Sequence, residues 1–231
     1  MDYSKIRLLS FDCYGTLIDW QKAVQDILEP FFNQYGLSFT REEIFEAFLR
    51  ADRKLEGDKY LPYREILAEI VLMIADELRI SIDPSMRYIL SEKFGEWLPF
   101  RDTVESLKQL KQRYKLAIIS NVDDELFAVT NKILDIEFDF IVTAQQLGSY
   151  KPDRNNFIAA HERFGLNREE TLHVAQSIYH DIVPSNMLDW QNCWVNRYGE
   201  DERTDPFEFP DLEVPDLSSL VKILRLESES A

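Results

Sequence analysis

The sequence has few cysteines and a shortage of basic residues. Cys13 and Cys193 are its two cysteines, and no spacing around them suggests a disulfide framework or a zinc site. Lys and Arg number 26 against 42 Asp and Glu, so the formal net charge is -16. An exterior of that sign repels phosphate backbones and anionic lipid, and we expect neither nucleic acid nor a membrane as partner. A reduced cytoplasm is the expected compartment.

Long apolar runs are also missing. No stretch approaches the ~18 consecutive apolar residues of a membrane span, and an apolar strand pattern begins so near Met1 that we expect no signal peptide. Hydrophobic residues nevertheless make up 45% of the 231 positions and aromatic residues 13%. This composition is sufficient for one large globular domain with a second, smaller one.

The first buried strand ends in a carboxylate. Apolar residues dominate Ile6 to Phe11, and Asp12 follows directly, ahead of a turn at Gly15-Thr16. Because ligands of open parallel sheets bind beyond the carboxyl ends of the strands, Asp12 is placed for chemistry. An Asp side chain is ionised at neutral pH, so it can act as a nucleophile without a base to activate it. The alternative is that Asp12 only caps the turn.

The apolar spacing in residues 17–99 predicts helices and no strand. The apolar spacing i, i+3, i+4, i+7 predicts four of them, around residues 24–35, 44–49, 66–78 and 83–98. Thr40 and Glu43 form a capping box ahead of the second helix. A group of helices of this size predicts a small helical cap inserted after the first strand.

From residue 100 onward, strand and helix patterns alternate. Short buried strands are predicted at residues 116–119, 140–142, 172–175 and 193–195. With the first strand they predict an α/β fold, a doubly wound, Rossmann-like parallel sheet. The predicted catalytic core is residues 1–16 and 100–231, and the predicted cap is residues 17–99. Residues 200–216, rich in proline and acidic side chains, predict a surface loop.

Polar residues follow several of the predicted strands. They are Asp12 with Tyr14 and Thr16, Ser120 with Asn121, Lys151, and Ser177 with Asp181. The carboxyl ends of parallel strands meet at one crevice, so we expect these side chains to converge. Two carboxylates in one crevice repel each other, and an ammonium between them would keep Asp12 ionised. Lys151 is the candidate for that ammonium, and its alternative is an ordinary surface lysine.

These segments resemble the four motifs of the haloacid dehalogenase superfamily. In this chain the motifs are Phe11-Asp12-Cys13-Tyr14-Gly15-Thr16-Leu17, Ile119-Ser120-Asn121, Tyr150-Lys151-Pro152 and Ala175-Gln176-Ser177-Ile178-Tyr179-His180-Asp181. The resemblance implies that Asp12 is the nucleophile and forms a covalent ester or acyl phosphate. It also implies that Ser120 binds the substrate anion or orients Asp12, and that Lys151 neutralises charge. Asp181 would hold Lys151 or position water.

Two positions distinguish the branches of this superfamily. Its phosphatases have a second Asp two residues after the nucleophile, where this chain has Tyr14, and usually an Asp that helps bind Mg²⁺, where this chain has Gln176. Tyrosine is a poor general acid at neutral pH, and an amide lacks the negative charge that a hard cation favours. We therefore expect no metal and no other cofactor, with Mg²⁺ as the alternative.

Tyr14 instead resembles the 2-haloacid dehalogenase branch, whose leaving halide needs no proton. In that branch Asn121 matches a residue near the departing halide, and a cap arginine, Arg50 or Arg53 here, binds the substrate carboxylate or halide. The alternative for both arginines is a solvated helix face. The predicted substrate-binding residues are therefore Tyr14, Thr16, Arg50, Asn121 and Ser177.

The fourth motif is one residue longer than the usual dehalogenase version. It resembles a sub-branch that includes the ring opening of azetidine-2-carboxylate. Substitution at the carbon next to a carboxylate is common to both, so we predict a hydrolase for a small 2-substituted carboxylic acid. Relatives of this kind are often dimers, and a homodimer is the expected assembly. The alternatives are a Mg²⁺-dependent small-molecule phosphatase of the same fold and a catalytically silent binding protein.

Overall fold

The structure is a computed structural model that describes residues 2–36, 39–56, 60–200 and 203–229. Its contacts divide the chain into two compact units. The first, the core unit, consists of Met1–Ile18, Pro99–Asn121 and Leu134–Ala231. The second, the helical unit, consists of Asp19–Leu98 and Val122–Ile133.

Within the described residues, six strands of the core unit form one parallel sheet in the order β3-β2-β1-β4-β5-β6. The strands are β1 (Leu8–Phe11), β2 (Lys115–Ser120), β3 (Phe140–Thr143), β4 (Thr171–Ala175), β5 (Gln191–Val195) and β6 (Leu212–Val214). The chain places β2 and β3 on one side of β1 and β4 to β6 on the other, which makes the sheet doubly wound. The predicted α/β fold is confirmed.

The helices occupy the connections between the strands, except α10, which follows β6. They are α1 (Trp20–Asn33), α2 (Arg41–Glu56), α3 (Tyr63–Glu77), α4 (Ile89–Glu92), α5 (Thr103–Lys111), α6 (Asp124–Leu134), α7 (Ala144–Leu147), α8 (Arg154–Phe164), α9 (Val183–Met187) and α10 (Leu217–Glu229). In the described part of the chain, none of them combines the length and the apolar character needed to cross a bilayer.

A hydrophobic cluster covers one part of the sheet in the core unit. Phe157 and Phe164 of α8 pack with Leu8, Ile119 and Trp190, and all of these side chains are buried. β1 is buried along its whole length, as expected for a central parallel strand covered on both faces. Apolar packing therefore fixes the strand whose carboxyl end carries Asp12.

The helical unit has the predicted capping box, but its fourth helix is not continuous. Thr40 and Glu43 exchange hydrogen bonds between side chain and backbone, as predicted. The predicted helix over 83–98 is wrong: short 3₁₀ turns, Pro84–Tyr88 and Phe94–Glu96, flank a single-turn α4. Asp83 caps the first turn by accepting hydrogen bonds from the N–H and the hydroxyl of Ser85, and the second 3₁₀ turn contains Gly95, a weak helix former.

The segment Val122–Ile133 belongs to the helical unit, whereas the sequence pattern assigned it to the core. The buried carboxylate of Asp123 accepts hydrogen bonds from the backbone N–H groups of Tyr63 (2.9 Å) and Arg64 (2.8 Å). These are unsatisfied donors at the start of α3, where a negative charge is favourable. The contact joins residues 60 positions apart, so local patterns could not reveal it.

The predicted loop at residues 200–216 contains an additional strand. β6 pairs in parallel with β5, and Asp211 accepts a hydrogen bond from the N–H of Asn192 at 3.0 Å just before β6 begins. Pro210 and Pro215 flank β6, which is a common arrangement for an edge strand. Residues 201–202 of the predicted loop lie outside the described residues.

Candidate active site

Asp12 follows β1 directly and is held by three neighbours within the core unit. Its backbone N–H donates to the carbonyl of Val174 on β4 at 3.1 Å. Thr16 Oγ1 donates to Asp12 Oδ2 at 2.7 Å, and Lys151 Nζ donates to Asp12 Oδ1 at 2.8 Å. Only 7% of the residue is exposed. The carboxylate is therefore oriented by one neutral and one charged donor.

The turn after Asp12 brings Thr16 back toward that carboxylate. Gly15 has a φ of 97°, a conformation that glycine adopts without steric cost, and its N–H donates to the carbonyl of Ile18 at 2.8 Å. Thr16 Oγ1 also accepts a hydrogen bond from the N–H of Gln176 at 2.8 Å. Thr16 was predicted to bind substrate, but the structure places its hydroxyl between Asp12 and the fourth motif.

Lys151 brings the first, second and fourth motifs together. Its ammonium donates to Asp12 Oδ1 (2.8 Å), Asp181 Oδ1 (2.7 Å) and the carbonyl of Ile119 on β2 (2.9 Å). An ammonium has three protons, and these three acceptors use all of them. The Lys151 side chain is 1% exposed, so the alternative of an ordinary surface lysine is wrong.

Asn121 holds the backbone of Lys151. Its Oδ1 accepts the N–H of Lys151 at 2.7 Å, and its Nδ2 donates to the carbonyl of Lys151 at 3.0 Å. This pair of bonds resembles the pairing between neighbouring strands and sets the direction in which Lys151 extends. The predicted contact of Asn121 with substrate stays a prediction.

Asp181 lies on a π-helical turn, Ile178–Ile182, that Ser177 caps. Ser177 Oγ accepts the N–H of His180 at 3.1 Å. A π turn includes one more residue than an α turn, which accommodates the long fourth motif. Asp181 is fully buried, and its Oδ1 meets both Lys151 and His173 Nε2, the latter at 2.9 Å.

The electrostatics of these groups depend on burial and on their mutual charges. Burial raises the pKa of Asp12; the Lys151 charge opposes that shift, and the Asp181 charge adds to it. Burial would also raise the pKa of Asp181, but the charge of Lys151 and the bond from His173 lower it below its ordinary value. Burial disfavours a charged Lys151, yet the two carboxylates outweigh this effect and raise its pKa. Lys151 is therefore cationic and Asp181 anionic at neutral pH.

The remaining predicted core residues lie at the same strand ends. Among the described residues, Ser120 Oγ at the end of β2 and Asp181 Oδ2 are buried atoms without a hydrogen-bond partner. Buried polar atoms are normally paired, so both point to a bound molecule or water. The Tyr14 and Ser177 side chains are half-buried.

The two candidate arginines belong to the helical unit. Arg50 lies on α2, where its guanidinium forms a salt bridge with Glu77 at 2.9 Å. More than half of each side chain is exposed, as in an ordinary solvated pair. Arg53 is on the same helix and is also exposed. The role of Arg50 toward a substrate carboxylate stays a prediction.

Sequence patterns missed two residues that support the site. His173 lies inside the buried strand β4 opposite Ser10 of β1, and its ring reaches Asp181. Arg197 donates to the carbonyl of Thr16 at 2.9 Å and pairs with Asp102 at 3.1 Å. The available signal for Ser10 and His173 was the presence of a polar residue inside each of two otherwise apolar strands. Arg197 follows β5 by two positions, and its contacts with Thr16 and Asp102 are 181 and 95 positions away in the sequence, so no local pattern predicted them.

The donors around Asp12 do not suit Mg²⁺. Within the described residues, no three His, Cys, Asp or Glu side chains are grouped as metal ligands. Lys151 and Thr16 occupy the two oxygens of Asp12. Mg²⁺ prefers carboxylate oxygens in near-ideal octahedral geometry, and the fourth motif offers the neutral amide of Gln176. We therefore derive no step of the reaction through a metal.

The doubly wound core, with a paired carboxylate at the end of its central strand, has the arrangement that the resemblance to the haloacid dehalogenase superfamily predicts. A family model for haloacid dehalogenase-like hydrolases matches residues 6–182. The chain belongs to this family, and the predictions of that family and of an enzyme are confirmed.

Individual proteins resemble the chain over nearly its full length. Haloacetate dehalogenase H-2 of Moraxella sp. (strain B) is 28% identical and covers 95% of this chain and 98% of its own. The (S)-2-haloacid dehalogenase of Pseudomonas sp. (strain YL) is 26% identical over 100% and 99%. The structure of L-2-haloacid dehalogenase from Xanthobacter autotrophicus with chloropropionic acid covalently bound matches with a TM-score of 0.80, at 19% identity over 95% and 98%.

Proposed function

We propose that this chain hydrolyses a small 2-halo carboxylic acid, with Asp12 as the nucleophile. The observation that carries the proposal is the setting of Asp12, whose oxygens are held by Lys151 and Thr16 at the carboxyl end of β1. An oriented, ion-paired carboxylate attacks carbon without a general base. Thr16 and Asn121 act by orienting Asp12 and Lys151, and Lys151 offsets the negative charge of the two carboxylates.

In the first step an oxygen of Asp12 attacks the carbon that carries the halogen. The new carbon–oxygen bond forms as the carbon–halogen bond breaks, and the halide leaves with the bonding electron pair. No proton has to reach a halide, which suits a site with Tyr14 two residues after the nucleophile. The products of this step are an ester on Asp12 and a free halide ion.

In the second step water attacks the carboxyl carbon of Asp12. The bond from that carbon to the ester oxygen, which Asp12 supplied in the first step, breaks; the water oxygen restores the carboxylate of Asp12, and a 2-hydroxy acid departs with the former Asp12 oxygen. One proton of the water goes to the product hydroxyl and the other to solvent. We assign the positioning of this water to Asp181, because its Oδ2 is buried and lacks a partner among the described residues.

The substrate contacts follow from the same strand ends. Ser120 Oγ, buried without a partner in the described part of the chain, donates to the substrate carboxylate. Tyr14 and Ser177, both half-buried, line the pocket, and Asn121 contributes beside the leaving halide. The role of Arg50 toward the substrate carboxylate or halide stays a prediction from the resemblance.

The similar proteins support this chemistry. The names of both curated relatives give a 2-halo acid as substrate, and the similar structure holds chloropropionic acid covalently. Neither step of the reaction requires a cofactor. We also propose a cytoplasmic location, which suits the two free cysteines. A homodimer is the proposed assembly.

Isotope labelling tests the covalent step. In a single turnover in ¹⁸O water with enzyme in excess, the label should enter Asp12 and be absent from the first hydroxy acid. Mass spectrometry of the Asp12 peptide and of the product measures both. Label in the first product would contradict the aspartyl ester.

A substrate panel separates this function from its alternatives. We expect the purified protein to release halide from 2-chloropropionate or chloroacetate with chelator present. A phosphatase would instead hydrolyse phosphate esters and stop with chelator, and a binding protein would turn over none of the panel. Cyclic imino acids in the same panel test carbon–nitrogen cleavage at the same carbon.

A further inference from the structure

Besides the contacts of Lys151, the core unit has a second series of hydrogen-bonded polar side chains, which runs from Ser10 through His173 to Asp181. Ser10 Oγ lies 3.0 Å from His173 Nδ1, and His173 Nε2 lies 2.9 Å from Asp181 Oδ1. Ser10 and His173 face each other in the register of β1 and β4, and both are 0% exposed. The contacts from Ser10 to Asp181 are therefore buried inside the core unit and are not part of the protein surface.

The chemistry of the partners assigns the protons on His173. Asp181 is ionised beside Lys151, and an ionised carboxylate only accepts hydrogen bonds. His173 Nε2 must then carry a proton and donate to Asp181. In the neutral ring Nδ1 is an acceptor, and the Ser10 hydroxyl donates to it. Asp181 thus requires the proton on Nε2, and the Ser10 hydroxyl, which can donate or accept, is the partner of the other ring nitrogen.

The position of Asp181 controls the position of Lys151. Asp181 Oδ1 receives both His173 Nε2 and Lys151 Nζ, so a shift of Asp181 removes one of the acceptors that hold the ammonium. Without that acceptor the contact of Lys151 Nζ with Asp12 Oδ1, now 2.8 Å, is no longer fixed. His173 therefore influences Asp12 through Asp181 and Lys151.

His173 itself has no access to a substrate. Its ring is wrapped by aromatic side chains, with the centroid of Phe157 at 5.2 Å and that of Trp190 at 6.3 Å. Both contacts are edge-to-face packing. An imidazole in this setting cannot touch the reacting atoms and acts only through the groups that it holds.

We propose that Ser10 and His173 form a positioning pair that holds Asp181 in place. Through Asp181, the pair keeps Lys151 at hydrogen-bonding distance from Asp12. The proposal rests on the proposed function in one respect only: the rate that it controls is that of haloacid hydrolysis. His173 is a positioning residue, and Ser10 holds its Nδ1 side.

Kinetics of three variants test the pair. His173→Phe keeps the ring packing but removes the donor to Asp181, and we expect kcat to fall by about 10- to 100-fold with KM nearly unchanged. His173→Gln places an amide N–H near the original Nε2 and should restore most of kcat. Phe157→Leu, the matched packing control, should lower thermal stability and leave kcat near that of the wild type. A folded His173→Phe with wild-type kcat would overturn the proposal, and so would a His173→Gln no faster than His173→Phe.

Nuclear magnetic resonance tests the pair without activity. The chain has three histidines, so ¹⁵N-histidine labelling gives a simple spectrum. We expect the His173 signals, assigned with His173→Gln, to show a proton on Nε2 and to shift in Ser10→Ala and in Asp181→Asn. A proton on Nδ1 alone would contradict the pair. If no haloacid is hydrolysed but this tautomer and both shifts are found, the proposed function fails while the pair stands.

Discussion

The sheet has an amino edge, where its parallel strands begin, and a carboxyl edge, where they end. The ion pairs at these two edges differ in their exposure to solvent. At the amino edge Lys5 pairs with Glu169 at 2.9 Å, and more than half of each side chain is exposed. At the carboxyl edge Lys151 pairs with Asp12 and Asp181 at nearly the same distances, with all three side chains at most 10% exposed. Pairs of similar geometry thus sit in very different surroundings.

This difference in solvent exposure shows that a surface depression is not, by its size alone, evidence of an active site. The amino edge holds an open depression of about 720 Å³, lined by Lys5, Arg7, Glu169 and Glu170 among others. Its charges meet in solvent, where ion pairs are screened and contribute little to stability. The charges at the carboxyl edge are removed from water and act strongly on one another. We therefore propose the carboxyl edge as the active site.

The largest effect is expected from Asp12→Asn. An amide cannot form the ester, so kcat should fall by about 10⁴-fold or more while the fold is kept. Glu170→Gln at the amino edge is the matched control and should retain activity. Halide release and circular dichroism measure the two effects. Residual turnover of Asp12→Asn close to the wild-type rate would remove the distinction between the edges.

Lys151→Met should lower both stability and activity. Two buried carboxylates would lose their cation, and breaking a buried pair costs about 3–5 kcal/mol of unfolding free energy. Lys5→Met breaks only an exposed pair, and its loss of stability should be much smaller than that of Lys151→Met. Urea denaturation of both variants gives the comparison. Equal losses would show that burial does not separate the two edges.

The acid limb of the rate should lie above the ordinary pKa of an aspartate. Asp12 must be ionised to attack, and burial raises its pKa, so activity should disappear as pH falls through a value higher than about 3.9. The pH dependence of kcat/KM measures this limb. Glu170→Gln should leave it unchanged, because Glu170 lies at the other edge. An acid limb below the ordinary value would contradict the assignment to Asp12.

The smallest effect is expected from Tyr14→Phe. A departing halide needs no proton, so the lost hydroxyl costs at most a neutral hydrogen bond, about 0.5–1.5 kcal/mol, or roughly a tenfold change in rate. Initial rates with 2-chloropropionate measure the change. Loss of all activity in this variant would instead indicate that Tyr14 donates a proton and that the leaving group is not a halide.

Local patterns predicted most of the core, including five strands of the sheet. They failed where short-range and tertiary preferences differ. The predicted fourth helix is divided into short turns, one of which contains Gly95, a weak helix former, and β6 lies between Pro210 and Pro215, where local patterns favour a loop. The predicted convergence of Asp12, Lys151 and Asp181 is present in the structure, whereas the individual roles of these residues stay proposals.

The sequence by itself determined which strands end in functional groups, because apolar runs and the residues after them are local features. Only the tertiary structure decided how those groups meet. Asp12 and Lys151 are 139 positions apart, and Ser10 meets His173 only because β1 and β4 pair in one particular register. Hydrogen bonds of this kind depend on register, turn conformation and side-chain rotamer together. These are set by the packing of the whole sheet and are not encoded in any short segment.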